Sequence, residues 1–118
     1  MTTSEIATVL AWHDALSAQD LDTLTQLSSD DIEIGDAHGA GQGLDALRTW
    51  AAGRTGEITV GQLYVHDGVV VAEETLADGT VQASAFRVVR DHVTSVFRHD
   101  SVTAALAATD LTEADLDA

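Results

Sequence analysis

From Glu57 onward the sequence runs with period two and is cut by Asp67-Gly68, Asp78-Gly79 and Asp91-His92, which predicts a four-stranded antiparallel meander. Asp-Gly is the pair that two-residue hairpins favour, because both central positions take positive φ. Counting register on two-residue loops throughout puts Gln62, Glu73, Ser84 and His99 in one row on one sheet face. Tyr64, Phe86 and Phe97 fall on that face too, which mixes apolar and polar residues as a pocket wall does. Leu63, Val65, Val70, Ala72, Ala83, Ala85 and Val96 fall on the other, which is more uniformly apolar than a solvated face should be. The first face is expected to pack on helices around a pocket. The second is expected to pair with another copy and make a homodimer.

Two helices precede any strand. The first opens with a capping box, Thr2-x-x-Glu5, and carries Ile6, Val9, Leu10, His13 and Leu16 at helical spacing, with Trp12 on the flank. Asp20 caps a second helix with Leu21, Leu24 and Leu27, ending at the turn from Ser28 to Asp31. Ile32-Glu33-Ile34 alternates as a short strand, and the glycine-rich run from Asp36 to Gly43 reads as a mobile loop hinged on Gly39, Gly41 and Gly43. A third helix holds Leu44, Leu47, Trp50 and Ala51 and stops near Gly53. Ser101 to Ala108 reads as a short Ala-rich helix, and Thr109 to Ala118 as an acidic, frayed tail. The domain is therefore expected over residues 1–108, with a tail over 109–118.

A chain of 118 residues, 45% hydrophobic, has room for one core. Twenty Asp or Glu stand against five Arg and no Lys, a net charge of -15 that argues against nucleic acid as a partner. Without cysteine there is no thiolate ligand or nucleophile. No two histidines show the spacing of a helical zinc site, and the alternating glycines lack the βαβ setting of a dinucleotide loop, so neither metal nor cofactor is expected. The N-terminus lacks a leader pattern and no apolar run is long enough to span a bilayer, which makes a cytoplasmic protein without membrane contact the expectation.

The order helix, helix, short strand, loop, helix, meander resembles the nuclear transport factor 2-like (NTF2-like) superfamily, whose α+β fold is a cone of three N-terminal helices packed on a curved antiparallel sheet. The segment Ala15 to Asp22 looks like its helix-to-helix junction, Ser29 to Asp36 like its first strand, and Phe86 to Val96 like its last hairpin. The superfamily includes SnoaL-like polyketide cyclases, limonene epoxide hydrolase and ketosteroid isomerase. The resemblance thus implies a pocket for a small apolar molecule and cofactor-independent acid–base chemistry of the isomerase, cyclase or epoxide hydrolase type. Similarity to ketosteroid isomerase places its general-base aspartate on Asp36, its oxyanion-hole tyrosine on Trp12 and its protonated aspartic acid on Ser84. Limonene epoxide hydrolase is similar in using an Asp, Arg, Asp arrangement around a water, but the counted register puts Arg87 and Arg98 on the face away from the pocket.

Asp36 fits a general base beside a low-polarity pocket, or a turn aspartate capping its own loop. Glu73, Ser84 and His99 fit a hydrogen-bonded catalytic relay, or a polar network satisfying itself. Trp12, His13, Trp50, Gln62, Tyr64, Phe86 and Phe97 would line the cavity and bind substrate, or simply fill it. Two functions follow: an enzyme moving protons within a small molecule, or a non-catalytic ligand-binding or dimerisation module. An open cavity of several hundred Å3 reaching Asp36 would favour the first.

Overall fold

The computed structural model describes residues 2–36, 39–53 and 57–117, with side chains from Ser4 onward, so His38 and the expected Thr2 capping box lie outside the described residues. Helix α1 (Thr2–Ser17) packs Val9, Trp12 and Leu16 into the core, each at most 1% exposed, while Leu10 stays 39% exposed. The buried stripe is therefore centred on Trp12, which the sequence had placed on its flank. Asp20 caps α2 (Leu21–Gln26), accepting from Thr23 N at 3.2 Å and Thr23 Oγ1 at 2.7 Å. Those bonds favour the ionised form and hold the Asp20 carboxyl below its ordinary value.

Strand β1 (Ser28–Asp36) continues into β2 (Gly39–Gln42), with Glu33 opposite Gln42 and Asp36 opposite Gly39. The expected mobile loop is therefore largely the second arm of a hairpin. Helix α3 (Leu44–Ala52) follows, and then the meander: β3 (Thr59–His66), β4 (Val69–Thr75), β5 (Val81–Val89) and β6 (His92–His99). The sheet order is β2-β1-β6-β5-β4-β3-β7, and β1 lies parallel to β6, so one pairing departs from the antiparallel rule.

Register departs from the count at two of the three turns. Asp67-Gly68 is the two-residue turn expected, with His66 opposite Val69. The next loop has three residues, Ala77, Asp78 and Gly79: Thr75 pairs with Val81, Leu76 N donates to Thr80 O at 2.8 Å, and Gly79 takes φ +89°. One extra residue moves Ala83, not Ser84, opposite Glu73. The last turn is Arg90-Asp91, one place earlier than expected, with φ of 50° and 65°, and a bulge before Ser95 shifts the ladder again. Ser84 then faces Arg98, and Ala83 faces His99.

The faces follow from that ladder. Val65, Val70, Ala72, Phe86, Val88, Val93 and Val96 join Val9, Trp12 and Leu16 in the main core beneath α1 to α3. Tyr64, Val71, Ala83 and Ala85 point the other way and pack on α4 (Val102–Thr109) and Leu111. Much of the apolar outer surface expected from sequence is thus core, and the chain covers part of the rest itself. The C-terminal residues are held too. A 3-10 turn over Glu113–Asp115 carries a capping box between Thr112 and Asp115, and β7 (Leu116–Asp117) pairs with Leu63 and Tyr64 at the sheet edge. The described helices include none long and apolar enough to cross a membrane.

The stripe assignment has a measurable consequence. Leu16→Ala removes a side chain packed on all sides and should cost about 2–5 kcal/mol of stability in urea unfolding. Leu10→Ala, on the exposed flank, should stay within about 0.5 kcal/mol of wild type.

Candidate functional site

Adjacent residues on a strand point to opposite faces, so the pair Glu73-Glu74 must send one carboxylate toward the helices. It is Glu74, 1% exposed, in register with Gln82 and on the side of the main core. Burying an anion there requires donors. Ser84 Oγ donates to Glu74 Oε1 at 2.7 Å and Gln82 Nε2 donates to the same oxygen at 2.9 Å. His13, 2% exposed on α1, sets its Nε2 2.5 Å from Oε2. The other ring nitrogen, Nδ1, lies 2.9 Å from Val9 O, which can only accept. Nδ1 therefore carries a proton, and a second proton is shared between Nε2 and Oε2. Burial alone would raise the Glu74 carboxyl, but the hydrogen bond and charge of His13, the charge of Arg98 and the Gln82 bond outweigh it and hold Glu74 below its ordinary value.

Arg98 is the second residue that the new register turns inward, since it faces Ser84 across the ladder. Its guanidinium carbon sits 4.9 Å from the centre of the Trp50 ring on α3. Trp12 lies beside Trp50, its ring centroid 6.0 Å away, and meets Phe86 edge-on at 5.3 Å. The middle of the cone beneath α1 is thus packed with rings, His13 included, its centroid 5.1 Å from Phe86.

Open space lies instead at the end of β1. Ile32, Ile34 and Asp36 alternate on the helix-facing side, and Asp36 is half-buried at the last position of the strand. A cavity of about 520 Å3 is bordered there by Ile34, Asp36, Gly41, Asp45, Ala46 and Trp50. A second, also about 520 Å3, reaches Asp36 from the α4 side, along Phe97, Arg98, His99, Ala104 and Ala108. A third, of about 560 Å3, runs along the outer face past Glu33, Arg87, Ser95 and Phe97.

The expected relay is not assembled. Ser84 is buried on the inner face against Glu74, whereas Glu73 and His99 lie on the outer face. The cause is the three-residue loop at Ala77–Gly79 together with the bulge between the Val88–Val93 and Arg87–Ser95 pairs, each of which reverses the parity that joined them. Tyr64 and Phe97 also stand outside. Tyr64 OH donates to Gln62 Oε1 at 3.1 Å and to Glu113 at 3.4 Å, and burial with the Glu113 charge raises its hydroxyl above the ordinary value. Phe97 covers Gly35, where an added Cβ would come within 2.9 Å of its ring. Neither they nor Gln62, which sits exposed at a β3 bulge, belongs to a helix-side pocket. Trp12, His13, Trp50 and Phe86 are on the helix side as expected. Sequence reasoning passed over Glu74 and Arg98, although the Glu73-Glu74 doublet already required one inward carboxylate. Among the described residues no group of three or more His, Asp or Glu is placed to hold a metal.

The fold is the α+β cone of NTF2-like proteins. The chain is similar to an LEH-like epoxide hydrolase from M. tuberculosis (TM-score 0.72, 19% identity, covering 92% of this chain and 93% of that one). It is similar also to an NTF2-like protein of unknown function from Cytophaga hutchinsonii (TM-score 0.70, 11% identity, 80% and 88% covered). A protein of ketosteroid isomerase-like fold from Catenulispora acidiphila, solved in complex with trimethylamine, matches with TM-score 0.66 at 20% identity over 89% and 93% of the two chains. No family model and no curated protein matches the sequence.

Because Glu74 is held below its ordinary value in the fold, its ionised form contributes stability above about pH 4.5, and that contribution is lost as pH falls through the lowered folded value. Wild-type stability should therefore drop steeply on acidification. Glu74→Gln should flatten that part of the urea-midpoint profile and cost about 1–3 kcal/mol at neutral pH, since an amide cannot accept from His13, Ser84 and Gln82 as the carboxylate does.

Proposed function

We propose that the protein binds a small, largely apolar molecule at the Asp36 end of the cone and transfers a proton on it without a cofactor, as an isomerase, cyclase or epoxide hydrolase-type enzyme with Asp36 as the base. The observation that carries this reading is the cavity of about 520 Å3 that reaches Asp36 and is bordered by Ile34, Ala46 and Trp50 together with Asp45 and Thr49. A carboxylate on the rim of a largely apolar space is poised to take a proton from a ligand carbon or from a water beside it. The fold neighbour named as an LEH-like epoxide hydrolase supports the same class of chemistry.

A ligand-binding module without turnover is favoured by one observation. The most deeply buried carboxylate, Glu74, has its donors inside the protein and needs no ligand to satisfy it.

Asp36→Asn separates the two. The amide keeps the shape of the carboxylate but cannot accept a proton, so turnover should fall about 100-fold or more while the melting temperature stays near wild type. Substrates for kcat/KM would come from screening small ketones and epoxides. Unchanged kcat/KM in the variant would remove Asp36 from the chemistry.

We also propose a homodimer through the part of the outer face that α4 leaves open, the strip along Arg87, Ser95 and Phe97, where Phe97 is 37% exposed. Both protomers carry the same net charge of -15, so association should strengthen as salt screens the repulsion. Light scattering at micromolar concentration should give twice the chain mass, and a monomer mass across the salt range would rule the dimer out.

A further inference from the structure

A second copy can close an open sheet face only if the charges and the shape of that face answer themselves under a two-fold rotation. Three neighbouring strands set an outward-pointing row here. Arg87 on β5 pairs with Ser95 on β6, and Ser95 pairs with Glu33 on β1. Arg87 and Glu33 are both exposed, and neither side chain forms an ion pair with another described residue. The cavity over the row is bordered by Asp31, Glu33 and Asp110 and, among the described residues, by one cation, Arg87. A copy seated there must therefore set Arg87 over an acid.

When two sheets pack face to face the axis lies between them, and two directions through Ser95 are possible. With the axis across the strands, Arg87 would lie over the partner's Arg87 and Glu33 over the partner's Glu33, so each charge of the row would meet its like. With the axis along β6, Arg87 lies over the partner's Glu33 and Glu33 over the partner's Arg87. Phe97, two residues further along β6 on the same face and 37% exposed, then meets the partner's Phe97. Shape selects the same axis. Helix α4 packs over Tyr64, Val71, Ala83 and Ala85, on the β3 to β5 side of the row, and leaves the β1 side open at Asp31 and Glu33. Rotation about β6 carries the partner's α4 onto that open side. Stacked sheets stand about 10 Å apart and a helix is about 10 Å across, and α4 turns the small residues Ala104, Ala107 and Ala108 outward, so one α4 fits between the sheets on each side of the axis.

We propose that the row Arg87, Ser95, Glu33 is a recognition strip for a second copy of this chain, docked about an axis along β6. Two Arg87–Glu33 pairs then form between protomers, and each α4 covers the part of its partner's face that the partner's own α4 leaves open. This rests on the reading of the protein as a homodimer and adds which residues meet. With Asp31 and Asp110 nearby and a net charge of -15 on each protomer, the pairs fix the docking direction more than they supply affinity.

Charge reversal on the whole protein tests it, read by light scattering at fixed salt. Arg87→Glu and Glu33→Arg should each weaken the dimer about tenfold or more, since each places two pairs of like charges in the interface. Net charge alone predicts the opposite for Glu33→Arg, which makes every protomer less negative. An equal mixture of the two variants should return to dimer mass, because opposite charges then face each other at both pairs. Ser95→Cys supplies the chain's only thiol, on the axis, and a short bismaleimide should join it to the partner's. The inference is overturned, while the dimer stands, if either reversal leaves association unchanged or tighter, if the mixture stays monomeric, or if the thiols of a dimeric sample are not joined. If wild type has the monomer mass at every salt concentration, the dimer and its geometry fall together.

Discussion

Everything on the inner wall of the sheet is arranged around one enclosed charge. Glu74 sits among Trp12, His13, Phe86 and the valines of the main core, where an unanswered carboxylate would cost several kcal/mol. Its answer draws on separate elements: His13 from α1, Gln82 and Ser84 from β5, and the field of Arg98 from β6. The requirement fixes more than a local contact. It sets the rotation of α1, because His13 must face the sheet with Nδ1 turned back to Val9, and that rotation puts Trp12 inside and Leu10 outside.

The same arrangement separates two kinds of polar group. Those around Glu74 satisfy one another within the core. Asp36 stands where that packing ends, between the α3 cavity and the space under α4, with Arg98 on the strand beside it. A rigid interior next to an open rim is a sound base for chemistry, because groups on the rim inherit the fixed positions of the residues behind them.

The layers of this fold were legible because periodicity reports them directly. Two helical stretches, a lone short strand, a third helix and a period-two meander leave little choice of architecture, and Ala15 to Asp22 and Ser29 to Asp36 sharpened it. Register was not legible, and the reason is parity. Whether Glu73 meets Ser84 or Ala83 depends on one residue of loop length at Ala77–Gly79, and Asp78-Gly79 fits a two-residue turn as readily as the last two positions of a three-residue one. The error then travelled across the sheet. With the bulge between Arg87 and Ser95, which added a second shift, it moved Tyr64 and Phe97 to the wrong face, hid Arg98 and put Glu73 in the place of Glu74. Alternation alone could have rescued the last point, since a strand cannot turn two consecutive carboxylates to the same side.

The small strand β7 has a consequence of another kind. A sheet with two long free edges is a template on which further strands can add, and acidic proteins escape this only in part through repulsion. Here one edge ends in β7, whose two residues cover Leu63 and Tyr64, and the other in the four-residue, glycine-bearing β2. At each margin the outermost strand is short, so the run of backbone open to a further strand is interrupted, at Leu63 and Tyr64 on one side and at Glu33 to Asp36 on the other.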